Sequence, residues 1–251
     1  MTDRSNATAK EARKSQGENL AQDHPLPFTL QPSLIPVIAI DGPSASGKGT
    51  VAQRVANQLG FHYLDSGALY RLVALAARQR DISWQDAHAL AAMTQTLNIQ
   101  FDNGGILLDG KDVSEDVRKE ETGKGASEVA VHPEVRAALL DLQHSFRKLP
   151  GLVADGRDMA SVVFPDAQTK IYLTASAETR ADRRYKQLLD KGMDADLGEI
   201  LRDLQQRDAR DSQRIAAPLQ QCRDASLLET DQMTIEEAVR IVIDAFKRNK
   251  K

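Results

Sequence analysis

The residues with the clearest chemical signal are Gly42-Pro43-Ser44-Ala45-Ser46-Gly47-Lys48, followed by Gly49 and Thr50. Gly42 and Gly47 at this spacing let backbone N–H groups turn inward around a phosphate. A helix beginning at the lysine adds the positive end of its dipole, and Lys48 can reach the β- and γ-phosphates of a nucleoside triphosphate. The competing reading is a structural turn with a surface lysine. The apolar run Val37-Ile38-Ala39-Ile40 just before it and the helical pattern just after it favour the phosphate cradle. One feature departs from the common pattern: Gly49 follows the lysine, and Thr50 comes one place later. A residue turns about 100° around a helix, so Thr50 does not fall at the usual magnesium-ligand position. Mg2+ bound with ATP would then be held mostly by phosphates and water. Asp155, ending an apolar strand, is the carboxylate placed to orient that water; the other reading is a turn or helix-cap aspartate. No direct metal ligand is assigned, and no Asn-Lys-x-Asp sequence that would read guanine is present.

Three further stretches could receive what the cradle delivers. In Asp65-Ser66-Gly67-Ala68-Leu69-Tyr70-Arg71, Ser66 and Tyr70 share a helix face, with Arg71 adjacent. This is either a second anion site or a helix cap with a packed tyrosine. In Asp155-Gly156-Arg157-Asp158, Arg157 can fork onto a phosphate and Asp158 can accept from an amino group; a structural Arg–Asp pair is the alternative. Arg207, Asp211 and Arg214 fall at i, i+4 and i+7, so one helix face would present two guanidiniums around a carboxylate, with Arg210 close by. Arg180, Arg183 and Arg184 cluster upstream. A charged helix face is ordinarily a solvated surface. After a phosphate cradle it can instead be a lid, since phosphoryl transfer needs cations around the migrating group and exclusion of water. His24, His62, His88, His132 and His144 show no metal-ligand spacing, and neither Cys222 nor any serine sits in a nucleophile arrangement.

The elements that must position these residues follow an α/β rhythm. The composition is that of an ordinary globular protein, 41% hydrophobic and 27% charged, and the net charge of −3 argues against nucleic-acid or membrane-surface partners. Cys222 is the single cysteine, which excludes an intrachain disulfide and fits a reducing, cytoplasmic setting. No apolar run is long enough to cross a bilayer. Residues 1–34 are polar and expected to be disordered; Asp3, Glu11, Glu18 and Asp23 speak against a transit peptide. Strand, helix, strand and two helices follow, through WQDAHALAAMTQTL. IQFDNGG and ILLDGKDV then suggest short antiparallel strands, continuing beyond, with turns at Asn103-Gly104-Gly105 and Asp109-Gly110. ASEVAVHPEVRAALLDLQHSFRKL returns to helix, and strands recur at LVAD, TKIYLTA and ASLLETD, with a charged helical region at 176–213. The expected architecture is a five-stranded parallel sheet flanked by helices, its core at 35–95 and 150–251, with a small β-containing insert at 96–149 and an arginine-rich lid at 180–215.

IDGPSASGKGT, LDSGALYR, ADGRDM, VVFPDA, KIYLTAS and RD-x-RD-x-x-R, in this order and spacing, closely resemble the bacterial cytidylate kinase family of nucleoside monophosphate kinases, from about Pro36 onward. The tail has no counterpart in shorter members. The resemblance implies a P-loop kinase core, a lid and a nucleotide-binding lobe enlarged by a β insert. It implies ATP as donor and CMP or dCMP as acceptor, in pyrimidine nucleotide metabolism. By motif, Ser66, Tyr70, Arg71, Arg157, Arg207 and Arg214 would hold the acceptor phosphate and Asp211 the ribose. Ser127 and Arg136 would join Asp158 in reading cytosine. Residues 42–50 would hold ATP, and Lys48, Arg157, Arg183, Arg184, Arg207 and Arg214 are the candidate catalytic cations. A monomer is expected. The rival readings are a kinase for UMP or shikimate, and an ATPase switch that transfers nothing to a small molecule.

Overall fold

A computed structural model describes residues 32–102, 105–190 and 192–249. Residues 1–31 of the tail, and Asn103 and Gly104 of the expected first hairpin turn, lie outside the described residues. The apolar run after the tail forms β1 (Val37–Asp41), and every residue of it is buried. It leads through the glycine loop into α1 (Lys48–Leu59), then β2 (His62–Asp65), α2 (Ser66–Gln79) and α3 (Ala87–Thr94). A three-stranded antiparallel ribbon follows: β3 (Ile99–Asp102), β4 (Gly105–Leu108) and β5 (Lys111–Asp112). After it come α4 (Ser114–Arg118), α5 (Glu120–Val129) and α6 (Pro133–Ser145). The chain returns to the main sheet as β6 (Leu152–Gly156), makes a single π-helical turn at Met159–Val163, and continues as β7 (Thr169–Thr174). It then forms α7 (Ala177–Leu189), α8 (Leu197–Gln213), β8 (Ser226–Glu229) and α9 (Ile235–Asn249).

The main sheet is five-stranded in the order β2-β6-β1-β7-β8, and each neighbouring pair is parallel. β1 is central and β6 is likewise wholly buried, as expected of parallel strands covered on both faces. Alternation along β1 divides the core. Val37 and Ala39 join a cluster with α2, α5, α6 and the π turn, while Ile38 and Ile40 join one with α1 and α9. Because all five strands run the same way, the loops after β1, β2, β6 and β7 gather at one edge, where open α/β sheets bind ligands.

Four local features refine or correct the expectation. The helical segment from Ala126 is shared between the end of α5 and α6, with a break between them. Pro133 opens α6, lacks an N–H to donate, and pushes His132 out of helical geometry, to φ −81 and ψ 117. Residues 114–125, expected to continue as strands, instead form α4 and most of α5. The charged region 176–213 is two helices, the second started by Asp196, whose carboxylate accepts from Glu199 N at 2.7 Å. Finally, α9 was not anticipated. It packs Val239, Val242 and Phe246 onto α1 and begins with a reciprocal Thr234–Glu237 capping box. Among the described residues no helix is long and apolar enough to cross a membrane.

Candidate active site

The glycine loop is shaped by one close backbone approach and one left-handed turn. A Cβ on Gly42 would lie 1.9 Å from the carbonyl oxygen of Leu173 in β7, so only glycine lets the chain leave β1 there. Gly47 takes the left-handed conformation (φ 88) at the N-cap of α1. Lys48, the first helical residue, is buried and its Nζ donates to the carbonyl of Pro43 at 3.2 Å. Burial lowers its pKa to about 8, with the neighbouring Arg157 charge adding to the effect. Ser44 and Ser46 are buried, and Ser46 Oγ has no partner; Ala45 and Thr50 are exposed. Two arginines of α7 clasp the loop from outside. Arg180 donates to Ser44 O at 3.0 Å and Arg183 to Ser46 O at 3.3 Å. Arg180 also pairs with Asp208 of α8, so the cradle, α7 and α8 are tied through one guanidinium.

Next to the loop, Asp65 and Asp155 are register partners at the ends of β2 and β6. Asp65 caps α2 by accepting from Ala68 N at 3.0 Å, which leaves Ser66 and Tyr70 one turn apart on the cavity wall. Asp155 accepts from Tyr63 OH at 3.0 Å, and burial raises its pKa to about 6, with Lys48 pulling the other way. Asp41, at the end of β1, is buried and accepts the backbone N–H groups of Met159 and Ala160, each at 2.8 Å. Burial raises it to about 6 against the pull of those two bonds.

Arg157 lies between the two halves of the site. Its Nη2 donates to Ser44 Oγ at 2.7 Å and its Nε to Asp211 Oδ2 at 2.8 Å. Burial opposes ionisation of Asp211, but the guanidiniums of Arg157 and Arg214 outweigh it and hold the carboxyl below its ordinary range. Arg207 is mostly buried with an unpartnered Nε, and burial lowers its pKa to about 10, with Arg157 and Arg71 adding. Arg214 does not continue the α8 face as the i+7 spacing suggests. It is the extended C-cap (ψ 143), and its guanidinium turns to Ala217 O at 2.7 Å and to within 3.8 Å of Asp158 Oδ1. The helix stops one residue short of the third position, so Arg214 reaches the site by its own backbone turn. Asp158 also pairs with Arg136, whose guanidinium lies 5.6 Å from the centroid of the Tyr70 ring. Ser127 Oγ is buried without a partner. Arg71 anchors α2 to the α4–α5 junction through Val117 O and Lys119 O. Arg184 reaches across from α7 to pair with Glu120 of α5.

These groups share one cavity of about 490 Å³, a size typical of small-molecule pockets. Ser66, Tyr70 and Arg71 line it from α2, and Ser127 and Arg136 from α5 and α6. Arg157 and Asp158 enter from the end of β6, and Arg207, Asp211 and Arg214 from α8 and its cap. Ser44, Ala45, Lys48 and Gly49 form its phosphate-loop end, with Asp155 beside them and Arg184 at the α7 wall. Gly42, Pro43, Ser46, Gly47 and Thr50 shape the loop without lining this cavity, and Arg183 is likewise outside its lining. Sequence reasoning passed over Asp41 and Tyr63, and it noted Arg180 only as part of a cluster. A strand-end aspartate directly before the glycine loop was the available signal for Asp41.

A family model described as cytidylate kinase matches residues 38–248. The cytidylate kinase of Chromobacterium violaceum is 58% identical over 213 residues, which is 85% of this chain and 96% of that protein. Those of Polynucleobacter asymbioticus and Paraburkholderia phymatum are each 58% identical, covering 86% and 84% of this chain and 98% and 93% of theirs. The match spans the glycine loop, the cavity walls and the unanticipated α9 alike: this chain belongs to the cytidylate kinase family.

Proposed function

We propose that the chain transfers the γ-phosphoryl group of ATP to CMP or dCMP, giving ADP and CDP or dCDP. The observation that carries this reading is the convergence of Lys48 and the acceptor-side residues, from Ser66 to Arg214, on a single cavity. An oxygen of the acceptor phosphate attacks the γ-phosphorus, and the bond to the β–γ bridging oxygen breaks, leaving ADP. That oxygen is already anionic, so no strong general base is required. The task left to the protein is to hold two anions together and neutralise charge as it shifts. Lys48 and the backbone of residues 42–50 hold the donor phosphates. Arg157, Arg207 and Arg214, with Ser66, Tyr70 and Arg71, hold the acceptor phosphate, and Asp211 takes the ribose. Arg183 and Arg184 add positive charge from α7.

Mg2+ accompanies ATP in this reading, and when bound it offsets phosphate charge. Asp155 fits its hydration shell: it is a buried carboxylate at the loop end of the cavity, with one oxygen already oriented by Tyr63. Thr50 is exposed and outside the cavity lining, so it is not assigned to the ion. Cytosine presents an N4 amino donor with N3 and O2 acceptors, which suits a carboxylate, a guanidinium and a hydroxyl: Asp158, Arg136 and Ser127. The unpartnered Ser127 Oγ supports that role, since a buried hydroxyl without a bond is costly until a ligand supplies one. Uracil would set a carbonyl against Asp158 and be rejected. In this scheme segments 35–95 and 150–251 are the kinase core, 96–149 the acceptor-binding lobe and 180–215 the lid.

A panel of nucleoside monophosphates and shikimate, each with ATP and Mg2+ in a coupled ADP-release assay, tests the reading. CMP and dCMP should exceed UMP by at least about tenfold in kcat/KM. Preference for UMP or shikimate, or ADP release indifferent to every acceptor, would overturn it.

A further inference from the structure

Asp158 begins the π turn at Met159–Val163, yet its carboxylate makes no hydrogen bond to that turn. An aspartate at such a position ordinarily folds its side chain back onto the first free N–H groups. Here Asp158 is 2% exposed and its carboxylate is turned to the cavity, paired with Arg136 and approached by Arg214. The turn still has donors to satisfy, because the first amides of a helical turn have no partner within it. Asp41 satisfies them from 118 residues earlier in the chain, one oxygen on Met159 N and the other on Ala160 N, both at 2.8 Å. Asp41 is only 3% exposed and belongs to β1, the strand that pairs with β6 immediately before the turn. The capping role has moved from the residue that begins the turn to the end of the neighbouring strand.

We infer that Asp41 is a positioning residue for acceptor recognition: by capping the turn in place of Asp158, it leaves the Asp158 carboxylate free to face the acceptor's base. Without the remote cap, the free N–H groups of Met159 and Ala160 compete for the carboxylate of Asp158, the residue that begins the turn. Folding back onto its own turn would draw Asp158 away from Arg136 and from the base. The same carboxylate sits directly before Gly42, so the strand that launches the phosphate loop also sets the base-reading side chain.

The inference rests on the proposed role of Asp158 in reading cytosine, and the test separates the two. Asp158→Ala, Asp41→Ala and Asp41→Asn are compared with the parent protein for kcat/KM with CMP and with UMP, and for KM of ATP. Asp158→Ala should collapse the CMP-to-UMP ratio. Asp41→Ala should lower that ratio by about tenfold, as expected for losing a buried pair of charge-assisted bonds. Asp41→Asn keeps the shape and one accepting oxygen, so it should fall between parent and alanine, with KM for ATP held within about twofold. If Asp41→Ala does not fold, the asparagine variant carries the test. A parent-like ratio in the Asp41 variants, alongside a collapsed ratio in Asp158→Ala, overturns the positioning role alone. So does a parallel rise in KM for ATP and CMP with discrimination intact. An unchanged ratio in Asp158→Ala removes the base-reading assignment and this inference with it.

Discussion

At the donor end of the cleft a phosphate would meet backbone amides drawn from contiguous residues, 42–50. At the acceptor end it would meet side chains arriving from α2, α5, α6, the end of β6 and α8. The donor end is specified by conformation: Gly42 pressed against Leu173 O, Gly47 at positive φ, and one lysine. The acceptor end is specified by paired charges, with Arg157 on Asp211 and Arg136 on Asp158. A backbone cradle recognises phosphate and little else. A set of buried, directional side chains can tell one nucleotide from another. In the proposed scheme the division gives general phosphate affinity to one end and selectivity to the other.

The largest effect should come from the single side chain that the donor end relies on. Lys48→Met is expected to lower kcat by about 10³ or more in steady-state assays while circular dichroism stays unchanged. Near-parent turnover would break the comparison. With its pKa lowered to about 8, Lys48 is charged below that pH and loses its proton above it. The kcat/KM for ATP, which reports the free enzyme, should therefore fall as pH rises through about 8. An intermediate effect belongs to the acceptor end. Ser127→Ala should raise KM for CMP by about tenfold with KM for ATP unmoved. Its thermal midpoint should not drop, because the hydroxyl removed has no partner to lose. The smallest effect is expected across the mouth, where Arg184 pairs with a Glu120 side chain that is 56% exposed. Glu120→Gln should change turnover by less than about threefold, and a larger loss would extend the selective end to that contact.

The same contrast explains what could be read beforehand. The glycine loop, β1 and α1 were legible because their rules are local: spacing, an apolar run, a helix start. All five strands of the main sheet were legible, β1 and β6 as apolar runs, although their order depends on crossovers that residue patterns do not encode. At the acceptor end, a helix cap and a ligand look alike in sequence, and Asp65 illustrates the ambiguity. It proved to be the cap, and both it and Ser66 beside it line the cavity. Arg214 was placed by helical spacing, yet it reaches Asp158 only because α8 ends before it. Arg180 and Asp41 act through partners more than a hundred residues away, which no local pattern reveals. α9 is a different case. Val239, Val242 and Phe246 repeat at helical spacing behind a Thr-x-x-Glu start, and the signal was there to be read.

Arg157 holds a loop serine with one nitrogen and an α8 carboxylate with another. An anion that claims this guanidinium therefore competes with both attachments at once, freeing Ser44 on the donor side and Asp211 on the sugar side. In the proposed scheme occupancy of either end would be felt at the other, and such thermodynamic linkage must be mutual. The cleft is a clasp fastened on itself: Arg157 binds across it the very groups that the proposed substrates would have to displace.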